Sequence, residues 1–105
     1  MFARVSHFQI LPGKMDEVVR IYQDSVVPAA KQQKGFKGGY VLADRDTGKG
    51  ISIALWETEA DMKADEGSGF YQQRAAKFKD LVGATAREQY EVIVQAKRGS
   101  EAPLG

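Results

Sequence analysis

Apolar and polar side chains alternate along the start of the chain, which predicts a β-strand over Phe2–Ile10. Both predicted faces carry apolar residues, so we expect both to be covered. One face holds Phe2, Arg4, Ser6, Phe8 and Ile10, and the other holds Ala3, Val5, His7 and Gln9. Leu11-Pro12-Gly13 then ends the strand.

The next segment changes to helical spacing. Its apolar positions form one stripe of Met15, Val18, Val19, Tyr22 and Val26. Lys14 opens the predicted helix, and the acidic residues of the first turn complement its dipole. Pro28 removes one backbone donor, so we expect the regular helix to bend or end near residues 24–27.

A strand–turn–strand pattern follows. Phe36–Ala43 and Ile51–Glu57 are the predicted strands, and DRDTGKG at residues 44–50 is the turn between them. Thr58 is the predicted N-cap of the next helix, with Asp61 three residues later.

The last third of the chain is predicted as a helix, an interruption, more helix and a final strand. The second helix runs from Glu59 to about Glu66, and Gly67-Ser68-Gly69 interrupts it. Helical spacing resumes over residues 70–82, with Gly83 as its C-cap. The last strand is predicted over Thr85–Ala96, which makes residues 1–97 one domain and residues 98–105 a flexible tail.

The resulting order is strand, helix, strand, strand, helix, strand. This βαββαβ order predicts an α+β, ferredoxin-like fold whose helices cover one face of a four-stranded antiparallel sheet. The other face is too apolar to face water, and a second copy of the chain would cover it. The residues assigned to that face are Val5, Val41, Ile51, Ile53 and Leu55.

Composition narrows the class of protein. The 105 residues fit one domain, and 15 basic against 14 acidic side chains leave no basic stripe for nucleic acid. One histidine and no cysteine argue against a transition-metal site. Because there is neither a signal-peptide pattern nor a membrane-spanning run, we expect a cytoplasmic protein without a membrane partner.

Trp56 and Arg74 are the first candidate site residues. Trp56 shares strand parity with Ser52 and Ala54, and small residues beside a large ring leave room for a cavity. The alternative is that Trp56 simply fills the core. Arg74 has the spacing to share a helix face with Phe70 and Phe78 and would bind a phenolate or enolate oxygen. Its alternative is an arginine whose head reaches solvent.

Three further side chains are weaker candidates. His7 is the only group whose ordinary pKa lies near neutrality, so it is either a general base or an interface residue. Ser6 and Tyr71 either contact a ligand or only pack.

Several landmarks coincide with a known family. They are Leu11-Pro12-Gly13-Lys14, Pro28, Gly35-Phe36-x-Gly38, and Ile53-Ala54-Leu55-Trp56-Glu57 followed by Thr58–Asp61. With these landmarks the chain resembles the antibiotic biosynthesis monooxygenase (ABM) family of dimeric α+β barrels. That resemblance implies a homodimer formed through the sheet face.

Members of that family include cofactor-free monooxygenases of anthrones and quinols, haem-degrading enzymes and proteins of unknown role. The haem-degrading branch has an asparagine, a tryptophan and an iron-binding histidine where this chain has Ser6, Trp56 and Arg74. Arginine cannot ligate iron, since it has no free lone pair at neutral pH. The anthrone-oxygenase branch resembles this chain at Trp56 and uses an arginine, for which Arg74 is the candidate.

The resemblance therefore implies a cofactor-independent monooxygenase that oxidises a small aromatic, anthrone-like or quinol-like substrate with O2. A non-catalytic ligand-binding or stress-related dimer is the alternative, and haem degradation is a third. We expect no cofactor and no metal. The predicted catalytic residues are His7 and Arg74; the predicted substrate-binding residues are Ser6, Ser52, Trp56, Phe70, Tyr71 and Phe78.

Overall fold

A computed structural model of the chain describes residues 1–98. The strands are β1 (Phe2–Ile10), β2 (Phe36–Ala43), β3 (Lys49–Trp56) and β4 (Val82–Glu91). The helices are α1 (Met15–Ile21), a π-helical segment (Tyr22–Val26), α2 (Val27–Lys31), α3 (Glu59–Gly67) and α4 (Phe70–Ala76). The tail predicted over residues 98–105 lies, from residue 99 onward, outside this described part.

The strands form one antiparallel sheet in the order β2-β3-β1-β4. In this register Arg4 lies opposite Ala54, and Ser6 lies between Ser52 on β3 and Arg87 on β4. The predicted α+β, ferredoxin-like βαββαβ fold is confirmed, with the helices on one face of the sheet.

The core lies between the helices and one end of the sheet. Its buried members are Phe8, Ile10, Val18, Phe78 and Leu81. Tyr22 joins them, because its ring centroid lies 4.7 Å from that of Phe78 and 6.4 Å from that of Phe8. These aromatic contacts fix the π-helical segment over β1 and over the chain that follows α4.

Pro28 acts as the sequence predicts. Regular α-helix ends at Ile21, and the chain widens into a π-helical turn over Tyr22–Val26 before α2 begins at Val27. Pro28 has no N–H for a bond to the Asp24 carbonyl, and its ring would clash with that carbonyl in a regular helix. Widening the helix one turn earlier accommodates the proline, and π-turns of this kind are frequent at functional sites.

The prediction was wrong about the last third of the chain. α4 ends at Ala76, and the chain leaves it through short turns that bury Leu81, whose N–H donates to the Phe78 carbonyl at 2.9 Å. Gly83 is therefore not a helix cap but part of β4. β4 ends at Glu91 rather than Ala96, because Glu91 lies opposite Phe2, the first residue of β1.

Val41 was also placed on the wrong face. The register between β2 and β3 shifts between Phe36 and Gly38, so that Val41 lies opposite Ser52 on the helix side. A one-residue shift moves side chains to the other face of a sheet. Tyr40 and Leu42 take the outer face instead.

The outer face of the sheet carries a broad set of apolar side chains. Val5, Ile51, Ile53 and Leu55 on its central strands are half-buried, whereas Tyr40 and Leu42 on the edge strand are 66% and 48% exposed. No helix within residues 1–98 is long and apolar enough to cross a membrane.

Candidate functional site

A cavity of about 470 Å³ lies between the sheet and the helices. All four strands, the π-helical segment and α4 contribute to its walls, which are largely apolar and aromatic. Among the lining residues are Ser6, Phe8, Tyr22, Ser52, Trp56, Tyr71, Arg74, Phe78 and Arg87.

Small side chains in the middle of the sheet leave this space open. Ser6 and Ser52 face each other across β1 and β3, and Ala54 follows on the same face. Phe8 and Phe78 close one end of the space and Trp56 closes the other. The cavity therefore follows directly from a row of small residues between two bulky ends, as the parity of Ser52, Ala54 and Trp56 predicts.

Trp56 is fully buried, with 0% of its surface exposed. Phe36 packs edge-on against its ring at a centroid distance of 5.5 Å, and the Arg4 guanidinium carbon lies 5.4 Å from the ring centroid. The indole nitrogen has no hydrogen-bond partner among residues 1–98. Trp56 thus lines the cavity while keeping one donor free.

A buried carboxylate holds two arginines beside the cavity. The Oδ2 atom of Asp65 accepts hydrogen bonds from Nη2 of Arg4 at 3.1 Å and from Nη2 of Arg74 at 2.7 Å. All three side chains are at least nine-tenths buried. Buried charges require such pairing, so Asp65 holds the guanidinium groups of Arg4 and Arg74 in place at the cavity wall.

Tyr71 lies at the centre of three guanidinium groups. Its ring centroid is 4.6 Å from the guanidinium carbon of Arg4, 4.9 Å from that of Arg87 and 6.0 Å from that of Arg74. A hydrogen bond with its hydroxyl raises the pKa of Arg87. One side of the cavity is consequently cationic and is organised around a single phenol ring.

Several buried polar atoms in this cluster have no hydrogen-bond partner within residues 1–98. They are Nη1 of Arg4, Nη1 of Arg74, Oδ1 of Asp65 and Nε1 of Trp56. Nη1 of Arg4 has only an ion-pair contact, 3.6 Å from Oε1 of Glu66. Unsatisfied buried donors are costly, so these atoms mark the part of the cluster whose hydrogen bonding is incomplete.

The structure brings six of the predicted site residues to the cavity wall. They are Ser6, Ser52, Trp56, Tyr71, Arg74 and Phe78. Arg74 does not send its head to solvent, so that alternative was wrong: its side chain is 9% exposed and bonded to Asp65.

His7 and Phe70 are not at the cavity. His7 lies on the outer face of β1, where its Nε2 is 2.7 Å from Oε1 of Glu88, and it cannot contact a molecule in the cavity of its own chain. Phe70, at the start of α4, is 48% exposed and does not line the cavity. The spacing of Phe70, four residues before Arg74, indicated a shared helix face but not the direction of that face.

Sequence reasoning missed four residues of the site: Arg4, Tyr22, Asp65 and Arg87. A signal existed for Arg4, because strand alternation already placed it on the inner face beside Phe2, Ser6 and Phe8. A signal also existed for Asp65, which lies three residues after the buried Met62 on α3.

Burial raises the pKa of Tyr22, an effect that the nearby Ser52 hydroxyl only partly offsets. The Tyr22 phenol is therefore neutral at physiological pH and serves as a hydrogen-bond donor rather than a base. No group of three or more histidine, cysteine, aspartate or glutamate side chains is positioned to hold a metal ion within residues 1–98.

The antibiotic biosynthesis monooxygenase family model matches residues 1–79, three-quarters of the chain. The chain belongs to this family. A comparison with curated proteins found no match. The match covers β1 to α4, and therefore the Asp65 cluster and Trp56, but it ends before β4.

Solved structures share the fold. An oxygenase from Streptomyces nogalater, SnoaB, described as cofactor-independent, has a TM-score of 0.76 at 16% identity, over 93% of this chain and 97% of that one. The haem degrader MhuD from Mycobacterium tuberculosis, with two haems bound, has a TM-score of 0.74 at 13% identity, over 92% and 100%. A protein from Deinococcus radiodurans, provisionally assigned as an antibiotic biosynthesis monooxygenase, has a TM-score of 0.77 at 15% identity, over 95% and 100%. At these identities the likeness concerns the fold alone.

Replacing the carboxylate that joins the two arginines tests this cluster. Asp65→Asn is expected to lower the free energy of unfolding by about 3–5 kcal/mol, because it leaves two buried guanidinium groups without their counter-charge. The measurement is urea denaturation followed by circular dichroism. Asp80→Asn, at an exposed position, is the matched control and is expected to change stability by less than about 0.5 kcal/mol. Equal stabilities of the two variants would contradict the role given to Asp65.

Proposed function

We propose that this protein is a cofactor-independent monooxygenase that oxidises a small, electron-rich aromatic substrate of the anthrone or quinol type with O2. The observation that carries the proposal is the combination of an aromatic-walled cavity with guanidinium groups held against it by Asp65. Such a site accommodates a flat ring and favours the ionised form of its hydroxyl or enol.

The first step is loss of a proton from the substrate. The positive charges of Arg4, Arg74 and Arg87 on the cavity wall would stabilise the resulting oxyanion. Because Asp65 already fixes the guanidinium groups of Arg4 and Arg74, they stabilise developing negative charge without reorganisation. The cationic side of the cavity thereby favours the deprotonated, anionic form of the substrate. That form gives up an electron most readily.

Oxygen then reacts with that anion. One electron passes to O2, and the substrate radical and superoxide combine to form a carbon–oxygen bond and, after protonation, a hydroperoxide. Loss of the remaining carbon-bound proton and cleavage of the O–O bond give a carbonyl and water. For an anthrone the net change converts the ring methylene and one O2 into a ring carbonyl and one water, so all four electrons come from the substrate.

Proton transfer in this scheme falls to a tyrosine rather than to His7. Within residues 1–98 no histidine or carboxylate lines the cavity, and His7 faces away from it. Tyr22 remains a neutral donor because of its raised pKa. Tyr71, whose ring is surrounded by three guanidinium groups, is our candidate for exchanging the proton with substrate.

A specific observation keeps the non-catalytic alternative open. The described cavity wall lacks the imidazole or carboxylate base that proton abstraction most often uses. On this second hypothesis the protein binds the same flat aromatic molecules, and the guanidinium groups only anchor them. Binding without O2 consumption across an anthrone, naphthol and hydroquinone panel would favour it.

The residues present do not fit ligation of haem iron by histidine. Arg74, which the family resemblance matches to the iron-binding histidine of the haem-degrading branch, donates to Asp65 and has no lone pair to offer. His7, the only histidine in the sequence, lies on the outer face. We therefore expect that no iron–imidazole complex forms in the cavity when haemin is added, and that the Soret shift typical of such a complex is not seen.

We also propose that a second copy of the chain covers the outer face of the sheet. The apolar character of that face supports this arrangement, since Ile51, Ile53 and Leu55 lie beside the exposed Tyr40 and Leu42. A stable interface requires such a contiguous apolar area.

Removing the phenol of Tyr71 tests the oxygenase proposal. Tyr71→Phe is expected to lower kcat by roughly 100-fold or more with little change in KM, because it removes a proton-transfer group and keeps the ring. Oxygen consumption with the aromatic panel is the measurement. Tyr90→Phe, which removes a phenol from the outer face, is the control. If no member of the panel consumes oxygen with wild-type protein, the proposal fails for these substrates.

Placing a charge on the outer face tests the dimer. Ile51→Glu is expected to shift a wild-type dimer toward monomer, raising its dissociation constant at least about tenfold, since a buried unpaired charge disfavours association. Sedimentation velocity gives the stoichiometry. Gln73→Glu on the exposed side of α4 adds the same charge without touching the sheet. A monomeric wild-type protein would refute the dimer.

A further inference from the structure

Arg87 differs from the other two guanidinium groups of the cavity. It extends from β4 on the helix side of the sheet, directly opposite Ser6, and lines the cavity. Its guanidinium lies against the ring of Tyr71, and no carboxylate of residues 1–98 lies within ion-pair distance of it. Arg4 and Arg74, by contrast, are both bonded to Asp65.

Counting charges around Tyr71 leaves one positive charge unbalanced. Arg4, Arg74 and Arg87 supply three, whereas Asp65 and Glu66 supply two. Glu66 is already engaged, because its two oxygens accept from Gln89 at 2.9 and 3.1 Å and one of them also contacts Arg4. Arg87 is the one of the three guanidinium groups without a carboxylate of the described residues at ion-pair distance, and Glu66 acts on it only from further away.

We propose that Arg87 is a substrate-binding residue that recognises a carboxylate carried by the aromatic ligand of the cavity. The ring of the ligand lies between Trp56 and Phe78, and its carboxylate reaches the β4 side. As a description of substrate choice this rests on the proposed oxygenase function, whereas the binding preference itself does not depend on turnover.

The chemistry of the position favours a monoanionic carboxylate. A guanidinium fork matches the two oxygens of a carboxylate in one plane. One unbalanced charge is neutralised by a monoanion, whereas a phosphate dianion would leave a negative charge against the apolar walls. Ser6 and Thr85, which line the cavity on either side of this position, add hydroxyl donors for a second contact.

The exposure of the Arg87 side chain also supports a carboxylate as its ligand. Arg87 is exposed, unlike the two buried arginines, so a carboxylate bound there keeps part of its hydration while the ring is desolvated. The cost of burying a full charge is thereby avoided. Arg87 lies beyond residues 1–79, the segment that the family model matches.

Two probes of nearly the same shape distinguish recognition of the negative charge from recognition of the ring. 2-Naphthoate and 2-naphthamide have the same ring and a planar substituent of similar size, but only the first is an anion. Trp56, the only tryptophan of the chain, lines the cavity, so quenching of its fluorescence reports binding directly. Isothermal titration calorimetry gives the same dissociation constants independently.

Wild-type protein is expected to bind 2-naphthoate about tenfold or more tightly than 2-naphthamide. Arg87→Gln is expected to bring the ratio of the two dissociation constants close to one, because it weakens the binding of 2-naphthoate alone. Arg87→Lys is expected to retain part of the preference. Arg20→Gln, which removes one exposed positive charge outside the cavity, is the control and is expected to leave the ratio unchanged.

Equal binding of the two probes to wild-type protein, or a preference that survives Arg87→Gln, would overturn the assignment. The outcome is independent of the oxygenase proposal. A naphthoate preference that requires Arg87 supports the inference even if no compound of the aromatic panel consumes O2. Oxygen consumption without any carboxylate preference would keep the proposed function and remove the role of Arg87.

Discussion

The hydrogen bonds from Arg4 and Arg74 to one oxygen of Asp65 are the constraint on which the site depends. They join β1 to α3 and α4, which lie far from it in sequence, through a single buried carboxylate. A buried salt bridge adds little net stability compared with apolar packing, yet losing one partner is costly. The cluster is therefore better understood as a device that fixes two cations beside the cavity than as a source of stability.

Around this cluster the cavity depends on an unequal distribution of side-chain size. Serine and alanine occupy the middle of the inner sheet face, while Phe8 and Trp56 occupy its ends. Ordinary cores are close-packed, so a row of small residues beneath the helices leaves a space that the side chains do not fill. On the proposed function, an aromatic ring occupies this space and the guanidinium groups favour its anionic form.

Much of this arrangement follows from the sequence. Strand alternation determined which face Ser6, Ser52 and Trp56 occupy, and the helical stripe correctly placed Val18 in the core. Other features depend on long-range geometry. The shift between Phe36 and Gly38 that moves Val41 inward depends on pairing with β3, and the pairing of Asp65 with Arg4 joins residues 61 positions apart. Neither is encoded in local periodicity. The end of β4 likewise depends on where β1 begins.

The π-helical segment over Tyr22–Val26 has a consequence for the shape of the cavity wall. Its hydrogen bonds are longer-range and less regular than those of an α-helix, and Pro28 prevents the segment from relaxing back into one. Tyr22, Val26 and Val27 line the cavity, whereas Pro28 does not. The proline therefore determines the shape of this wall from outside the cavity, through the path of the backbone rather than through contact with a ligand.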